Sequence, residues 1–361
     1  MRVGVVTEIK TDENRVALTP TGVHSLVENG HSVLVQAGAG MGSQITNDEY
    51  SVAGATIVDT AGAVWSSADL IVKVKEPQES EFGYLSGDQI LLTYLHLAAY
   101  PKVAQALLDA KTTSIAYETV MLPDRTLPLL APMSEIAGRM SVQVGARFLE
   151  RFGGGRGVLI GGVPGVEPAK VTVIGAGMAG SNAVQMAAGL GADVTVFDLN
   201  PAPLRHLDQV YRGLIKTRIA NRLDVRIAAL ESDLVIGAVL LPGAKAPRVL
   251  TRGDIADMKP GSVVVDISID QGGCFETSRE TKHSDPTYVI DEVVHYAVGN
   301  IPGAVPRTST YALTNATMPY LRLLADHGVD AAIETRPELA GGLTTRSGEI
   351  TNQTVREALN K

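Results

Sequence analysis

Short apolar runs alternate with amphipathic stretches along the first third of the chain. Five runs rich in β-branched residues lie between turn residues and predict strands: RVGVVT, HSVLVQ, ADLIVKVK, QILLTYL and TSIAYE. Thr19 and Pro20 provide a helix start, Gly30 provides a helix stop, and Pro101 opens another helix. Because strands separated by helices favour parallel pairing with right-handed crossovers, the pattern predicts a doubly wound sheet.

A second series of the same kind begins at Val171. Its predicted strands are VTVIG, DVTVFD, DLVIGAV and SVVVDIS. An amphipathic helix, SEIAGRMSVQVGARFLE, is predicted between the two series and leads into a glycine-rich loop at 152–165. A helical period also follows Arg307, and periodicity alone leaves open whether it closes the second domain or returns to the first. The predicted fold class is α/β, with two doubly wound Rossmann-like domains and a cleft between them.

Composition excludes several classes of function. The 31 Lys and Arg residues against 39 Asp and Glu give a net charge of −8, and no basic block predicts binding to nucleic acid or an anionic membrane. No apolar run approaches the ~18 residues of a membrane span, and the first residues lack the apolar core of a signal peptide. The single cysteine, Cys274, excludes an intramolecular disulfide. We therefore expect a soluble, cytoplasmic protein.

A glycine-rich turn, GAGMAG at 175–180, lies between a predicted strand and a predicted helix. Gly175 would form the tight turn, Gly177 would let the backbone approach a pyrophosphate, and Gly180 would let the helix pack closely on the strand. The N–H groups and dipole of the helix start favour phosphate binding. A chance glycine-rich turn is the competing interpretation, and FAD is a less favoured cofactor because its fingerprint usually lies at the N terminus.

Asp198 ends the next predicted strand and bears on which dinucleotide is bound. A carboxylate at this point would accept hydrogen bonds from the adenosine ribose hydroxyls and would repel a 2′-phosphate. No Arg follows within the next three residues. The turn and the acid together predict NAD rather than NADP.

Three polar side chains of the first series lie at or after the ends of predicted strands, where ligands of parallel sheets bind: Arg15, Lys75 and His96. A dehydrogenase needs an acid/base group and cations that hold a carboxylate or polarise a carbonyl. Taken singly, each residue has a plainer explanation. Arg15 could form a surface ion pair with a neighbouring acid, Lys75 could be a solvated charge, and His96 could be a hydrogen-bonded structural residue. Asp270 of the second series could likewise be a turn cap.

Segments along nearly the whole chain resemble the L-alanine dehydrogenase family, in family order. They include MRVGVVTEIKTDENRVALTP, LIVKVKEP, TYLHLAA, TSIAYETV, APMSEIAGRMSVQVGA, VVVDISIDQGGCFETSR and VPRTSTYALTNATMPY. The sequence is closest to bacterial alanine dehydrogenases and more distantly similar to the NAD-binding subunit of the proton-translocating transhydrogenase. The resemblance implies reversible, NAD-dependent oxidative deamination of L-alanine to pyruvate and ammonium.

The resemblance also implies roles for individual residues. Arg15 would clamp the substrate carboxylate through its planar fork, and Lys75 would hold and polarise the pyruvate carbonyl. His96 would be the acid/base at the substrate oxygen, Asp270 would assist proton transfer at the nitrogen, and Asn300 would contact substrate. The cofactor contacts that the resemblance implies are Ser134, Gly175, Gly177, Met178, Ala179, Gly180, Asp198, Val239, Leu240, Ile267, Ser268, Ile269, Asp270, Val298, Gly299, Asn300 and Ile301.

Family architecture suggests how the domains are built. A discontinuous catalytic domain formed by 1–130 and 307–361 would flank an NAD-binding Rossmann domain at 131–306. The family also implies a homo-oligomer, a hexamer. The helix after Arg307 is accordingly expected to return to the first domain.

The chain departs from some family members at three positions. Pro203 and Ala220 stand where those members use Lys and Ser to contact the adenosine. His327 is retained from a magnesium site found in some members, but Leu323 stands where that site has Glu. We therefore expect these adenosine contacts to be absent, the cofactor affinity to differ from that of those members, and no such metal site.

Two other functions remain open. The chain could be the NAD-binding subunit of a transhydrogenase, which keeps the two-domain fold but lacks the acid/base histidine. It could also be an NAD-sensing protein without turnover. The combination of His96, Lys75 and Arg15 argues against both.

Overall fold

A computed structural model describes residues 1–239 and 246–359. Two compact units are present, and each has its own sheet. The first unit combines Met1–Met133 with the chain from Val305 onward, and the second unit is Ser134–Ala304. Among the described residues, no helix is long and apolar enough to cross a membrane.

The N-terminal part of the first unit alternates strands with short helices. In chain order the elements are β1 (Arg2–Val5), α1 (Pro20–Glu28), β2 (Ser32–Gln36), α2 (Asn47–Val52), β3 (Thr56–Val58), α3 (Ala61–Ser67), β4 (Leu70–Val72), β5 (Ile90–Thr93), α4 (Pro101–Asp109) and β6 (Thr113–Ala116). Thr19 caps α1 through the N–H of Gly22, and Gly30 follows the helix with a φ of 82°. The predicted start and stop of this helix are confirmed.

The second unit repeats the alternation. A long helix, α5 (Ala131–Leu149), leads into it, and the following elements are β7 (Lys170–Ile174), α6 (Met178–Gly189), β8 (Asp193–Asp198), α7 (Pro201–Tyr211), β9 (Lys216–Ile219), α8 (Arg222–Glu231), β10 (Leu234–Gly237), α9 (Arg252–Ala256), β11 (Val263–Asp266), β12 (Thr287–Ile290) and β13 (Val293–Tyr296).

The C-terminal segment belongs to the first unit. It contains α10 (Pro306–Thr335), α11 (Leu339–Gly342), β14 (Leu343–Arg346), β15 (Glu349–Ile350) and α12 (Gln353–Leu359). The hydroxyl of Thr310 accepts the N–H of Val16 at 3.0 Å and lies 2.7 Å from the Ser43 hydroxyl. These bonds join α10 to the loops that follow β1 and β2, so the segment returns to the N-terminal part of the chain.

Both sheets are doubly wound. In the first unit the strand order is β15-β14-β6-β5-β4-β1-β2-β3, and the six strands from β6 to β3 are parallel. In the second unit the order is β12-β13-β11-β10-β7-β8-β9, with only β12 antiparallel. Each sheet reverses its winding beside its first strand, and ligands of such sheets bind at the carboxyl ends of the strands near that point. The predicted α/β class with two doubly wound sheets is confirmed.

The central strands form the cores of the sheets. Every residue of β4, β10 and β11 is buried, as expected for parallel strands covered by helices on both faces. The predicted strand ADLIVKVK is shorter in the structure, because β4 ends at Val72 and leaves Lys73 and Lys75 beyond it. The carboxyl edge therefore begins earlier than the sequence pattern suggested.

Candidate functional site

Arg15 lies in the loop after β1 and is almost completely buried. Its Nε and Nη2 atoms contact the two carboxylate oxygens of Glu13 at 2.6 and 2.5 Å, and its Nη1 atom lies 3.0 Å from the sulfur of Met133. The ion pair that the sequence allowed is therefore present, but it is buried rather than on the surface. Such a bidentate pair fixes the plane of the guanidinium.

Lys75 lies beyond β4 and is half-buried. Burial alone would raise the pKa of Glu13, but the hydrogen bonds and charge of Arg15, together with the charge of Lys75, hold this pKa below its ordinary value. Glu13 is thus electrostatically coupled to both cations. The structure brings Arg15 and Lys75 to one region at the carboxyl edge of the first sheet.

Lys73 has a different environment from Lys75. Its side chain is fully buried, with its Nζ atom 3.1 Å from Glu8 and 3.0 Å from Glu81. Burial raises the pKa of Glu8, against the lowering effect of Lys73. These contacts assign Lys73 to an internal ion-pair cluster and leave Lys75 as the lysine nearer to solvent.

His96 follows β5 and keeps two-fifths of its side chain exposed. Its ring stacks on Tyr94 with 5.9 Å between centroids and 5° between planes, and its Nδ1 atom lies 3.9 Å from the Glu118 carboxylate. That separation is longer than a hydrogen bond, so the contact is not that of a hydrogen-bonded structural histidine. The Tyr94 hydroxyl donates to the carbonyl of Leu129 at 2.6 Å, which fixes the stacking ring.

Sequence reasoning missed the side chains that surround these residues. Tyr94, Glu118 and Met133 contact His96 or Arg15, and Glu13 pairs with Arg15. Glu118 carried a usable signal, because it is an acid at the end of a predicted parallel strand. Met133 carried none, since an apolar residue directly before a predicted amphipathic helix is usually part of the core.

The glycine turn of the second unit has the predicted geometry. Gly175 follows β7 with a φ of 101°, a left-handed conformation that favours glycine, and a Cβ at Gly180 would overlap the carbonyl oxygen of Gly175. Gly177 is the N-cap of α6, and no heavy atom of the described residues lies within 4 Å of the position of a Cβ there. The described residues thus leave space beside Gly177 at the start of α6, where backbone N–H groups and the helix dipole favour a phosphate.

Asp198 ends β8 beside this turn. One carboxylate oxygen accepts the N–H of Ala176 at 2.7 Å, and the other accepts the N–H of Asn200 at 2.7 Å. The residue thus supports the glycine turn, and its carboxylate lies at the carboxyl end of β8. Each carboxylate oxygen can accept further hydrogen bonds, so the two roles are compatible.

The segment VVVDISIDQGG contains two aspartates with different environments. Asp266 is buried and accepts the N–H groups of Ser268 and Cys274 at 3.0 and 2.8 Å. Asp270 lies in the 3-10 turn Ile267–Gln271 and is exposed. The capping role that the sequence allowed for Asp270 belongs to Asp266, which leaves the Asp270 carboxylate accessible.

Other predicted cofactor residues lie at the same carboxyl edge of the second sheet. The Ser268 hydroxyl donates to the carbonyl of Val239 at 2.7 Å and joins the ends of β10 and β11. In the 3-10 turn that follows β11, Ile269 is buried and Ile267 is half-buried. Leu240 lies outside the described residues.

The segment 298–301 follows β13 and lies next to Asp270. A Cβ at Gly299 would lie 3.4 Å from the Asp270 carboxylate. Asn300 has a φ of 62°, and its carbonyl contacts the His283 ring at 3.0 Å, while Val298 and Ile301 are buried on either side. These contacts bring Asn300 and Asp270 into one loop cluster of the second unit.

The remaining predicted cofactor residues lie in helices. Ser134 is half-buried in α5, Met178 is exposed at the start of α6, and Ala179 is half-buried beside it. Within the described ranges, no three His, Cys, Asp or Glu side chains come close enough to hold a metal ion.

Comparison with known proteins places the chain in a family. The fold and the glycine turn define a dinucleotide-binding α/β protein built of two doubly wound units. Residues 4–137 match the model of the N-terminal domain of alanine dehydrogenase/PNT, and residues 141–353 match that of its C-terminal domain. The chain belongs to the alanine dehydrogenase/PNT family.

Individual relatives cover almost all of the chain. Alanine dehydrogenase 2 of Staphylococcus aureus is 56% identical over 359 residues, which are 99% of this chain and 96% of the relative. A solved L-alanine dehydrogenase is 48% identical with a TM-score of 0.97, covering 100% of this chain and 99% of that one. The transhydrogenase of Sinorhizobium meliloti is 26% identical with a TM-score of 0.83, covering 98% and 99%.

Proposed function

We propose that the protein is an NAD-dependent L-alanine dehydrogenase that interconverts L-alanine with pyruvate and ammonium. The observation that carries the proposal is the set of Arg15, Lys75 and His96 at one carboxyl edge, in a chain 56% identical to an alanine dehydrogenase over 99% of its length. The two cations suit a 2-oxo acid, and the histidine suits proton transfer at its oxygen.

Arg15 and Lys75 would bind the substrate. The Glu13 carboxylate contacts the Nε and Nη2 edge of Arg15, so the substrate carboxylate would use another edge of the guanidinium. Because Glu13 offsets one positive charge, Lys75 would supply the charge that balances the substrate carboxylate and polarises the carbonyl. Met133, which contacts the same guanidinium, would give this region an apolar wall.

His96 and Asp270 would move the protons. His96 is exposed enough to reach a ligand, and its ring would donate a proton to the oxygen that leaves as water and accept it in the reverse direction. Asp270 is exposed and would accept or return the proton on the substrate nitrogen. Asn300, in the same loop cluster as Asp270, would help to orient the substrate.

The residues of the glycine turn fit a dinucleotide. Gly177 and the first N–H groups of α6 would hold the pyrophosphate, and Asp198 would hold the adenosine ribose. Bound NAD supplies the hydride acceptor for alanine oxidation. The side chains of Val239, Ile269 and Val298 would line the same edge, with Pro203 and Ala220 unable to add polar contacts to the adenosine.

A transhydrogenase subunit is the second candidate, because a transhydrogenase shares the fold over nearly the whole chain. We propose a test in the reductive direction with pyruvate, ammonium and NADH. NADH should be consumed only when both pyruvate and ammonium are present, since the reaction forms a carbon–nitrogen bond. Hydride transfer between two nicotinamide dinucleotides without pyruvate would instead favour the transhydrogenase.

Replacing Asp198 should weaken the binding of NAD more than it slows turnover. In Asp198→Asn, loss of the charge removes charge-assisted hydrogen bonds to the ribose, and we expect the Michaelis constant for NAD to rise about tenfold with a smaller change in the maximal rate. Discrimination against NADP should also fall, because the repulsion of a 2′-phosphate is lost. Steady-state kinetics with both dinucleotides measure these effects.

Asp193→Asn provides the matched control for that variant. Asp193 begins the same strand, β8, and forms an exposed ion pair with Lys216 at 2.6 Å. This variant should keep the wild-type Michaelis constants. If the two variants had the same Michaelis constant for NAD, Asp198 would not be a ribose contact.

We further propose that the enzyme acts in the cytoplasm as a homohexamer. The resemblance to the alanine dehydrogenase family supports this proposal. Its small-molecule partners would be L-alanine, pyruvate and ammonium.

A further inference from the structure

The backbone of His96 adopts an unusual conformation. Its φ is 46°, in the left-handed region that residues with a side chain rarely occupy. It lies three residues beyond the end of β5, and its carbonyl accepts the N–H groups of Ala99 and Tyr100 at 2.8 and 3.2 Å. Such a conformation persists where surrounding contacts fix it.

The carboxylate of Glu118 accepts the backbone N–H groups of His96 and of the residue before it. Glu118 accepts the N–H of His96 at 2.6 Å and the N–H of Leu95 at 3.2 Å on the same oxygen, with the second oxygen 3.3 Å from Leu95 N. Its side chain is 13% exposed. A largely buried carboxylate that accepts two backbone N–H groups forms charge-assisted bonds, which are stronger than neutral ones.

The sheet brings the two residues together. β5 and β6 are parallel neighbours with Thr93 opposite Ala116, so the chain segments that follow them leave the same edge. Glu118 lies in the 3-10 turn Tyr117–Thr119 directly after β6. Its position is thus set by the strand register and not by a flexible loop.

The ring of His96 is constrained separately from its backbone. Tyr94 stacks on it, while Tyr117, adjacent to Glu118, packs edge-on against Tyr94 with 5.0 Å between centroids. The Glu118 carboxylate lies too far from Nδ1, at 3.9 Å, for a hydrogen bond to the ring. Glu118 therefore acts on His96 mainly through the backbone.

We propose that Glu118 is a positioning residue that presents His96 to the substrate by fixing its left-handed backbone. The inference rests on the proposed function of His96. The anchor is the pair of hydrogen bonds from the Leu95 and His96 N–H groups to the Glu118 carboxylate. Its loss would let the backbone of His96 relax and would move the imidazole. A displacement of about 1 Å is enough to reduce turnover by ~10². Substrate and NAD binding by Arg15, Lys75 and the glycine turn would be spared.

The geometry predicts a graded series of variants at position 118. Glu118→Gln keeps an oxygen that can accept both N–H groups. Because a neutral amide oxygen is a weaker acceptor than a carboxylate, kcat should fall by about tenfold or less. Glu118→Ala removes the acceptor and should lose ~10² in kcat. The Michaelis constants for pyruvate and NADH should change by less than about threefold, since kcat rather than ground-state binding depends on the histidine.

A double-variant cycle distinguishes positioning from general structural damage. If Glu118 acts through His96, Glu118→Ala should have little further effect on the residual kcat of His96→Ala, because the effects of residues acting as a unit are not additive. Glu79→Ala is the control, because Glu79 is exposed and forms an ion pair with Lys102 at 2.6 Å, and this variant should leave the kinetics unchanged. A full additional loss in the His96→Ala background, or a raised KM with unchanged kcat, would overturn the proposal.

Amide hydrogen exchange provides a readout that needs no activity. Exchange at the Leu95 and His96 amides should be faster in Glu118→Ala than in the wild type and close to the wild type in Glu118→Gln. Unchanged exchange in Glu118→Ala would refute the anchor even if the enzyme were inactive. An inactive wild-type protein with faster exchange in Glu118→Ala would instead refute the proposed function and leave the anchor supported.

Discussion

His96→Ala is expected to lower turnover by at least ~10² while NADH still binds. In the proposed function the partly exposed imidazole, which follows β5, exchanges a proton with the substrate oxygen. Removing it leaves the glycine turn of the second unit intact. Stopped-flow or steady-state rates and NADH fluorescence titration measure the two effects separately.

His24→Ala is the matched control, because His24 is an exposed histidine on α1 that pairs with Glu28. Its turnover and NADH affinity should equal those of the wild type. If His96→Ala retained wild-type turnover, the histidine would have no acid/base role and the substrate site would need a different proton donor.

Gly180→Ala is expected to have the largest effect on the second unit. A Cβ at this position would overlap the backbone carbonyl oxygen of Gly175, which cannot rotate away as a side chain can. Overpacking of this kind costs roughly 1–3 kcal/mol, and here relief would require α6 to move away from the turn. We expect a lower melting temperature and at least ~10-fold weaker NADH binding, which corresponds to about 1.4 kcal/mol.

Gly189→Ala tests the same substitution at the other end of α6. No heavy atom of the described residues lies within 4 Å of a Cβ built there, and the position is exposed. Alanine should stabilise the helix by roughly 0.5–1 kcal/mol and leave NADH affinity unchanged. Equal melting temperatures and affinities for the two variants would contradict the close packing assigned to Gly180.

The sequence pattern predicted the strands that are buried on both faces. The apolar runs of β4, β10 and β11 identify strands because helices cover both faces. β3 and β9 were not predicted, because both are edge strands without a buried residue and three of the four residues of β9 are charged or polar. β14 pairs with β6, which is far away in sequence, and local patterns do not encode such a pairing.

Only part of the candidate site could be predicted from the sequence. Gly175, Gly180 and Asp198 belong to a local motif whose spacing fixes their geometry, so their arrangement followed from the sequence. Lys73 and Lys75 alternate in one apolar run, and only the packing of Lys73 between two glutamates separates their environments. The Glu118 contact to the backbone of His96 depends on strand order and register, which a single sequence does not specify.

The most direct test of the account is a complete product balance for alanine oxidation by the purified protein. Incubated with NAD and L-alanine at alkaline pH, the wild type should form NADH, pyruvate and ammonium in equal amounts. D-Alanine, or NADP in place of NAD, should give far slower product formation. Absence of NADH with L-alanine, or NADH without matching pyruvate and ammonium, would contradict the assignment of an L-alanine dehydrogenase.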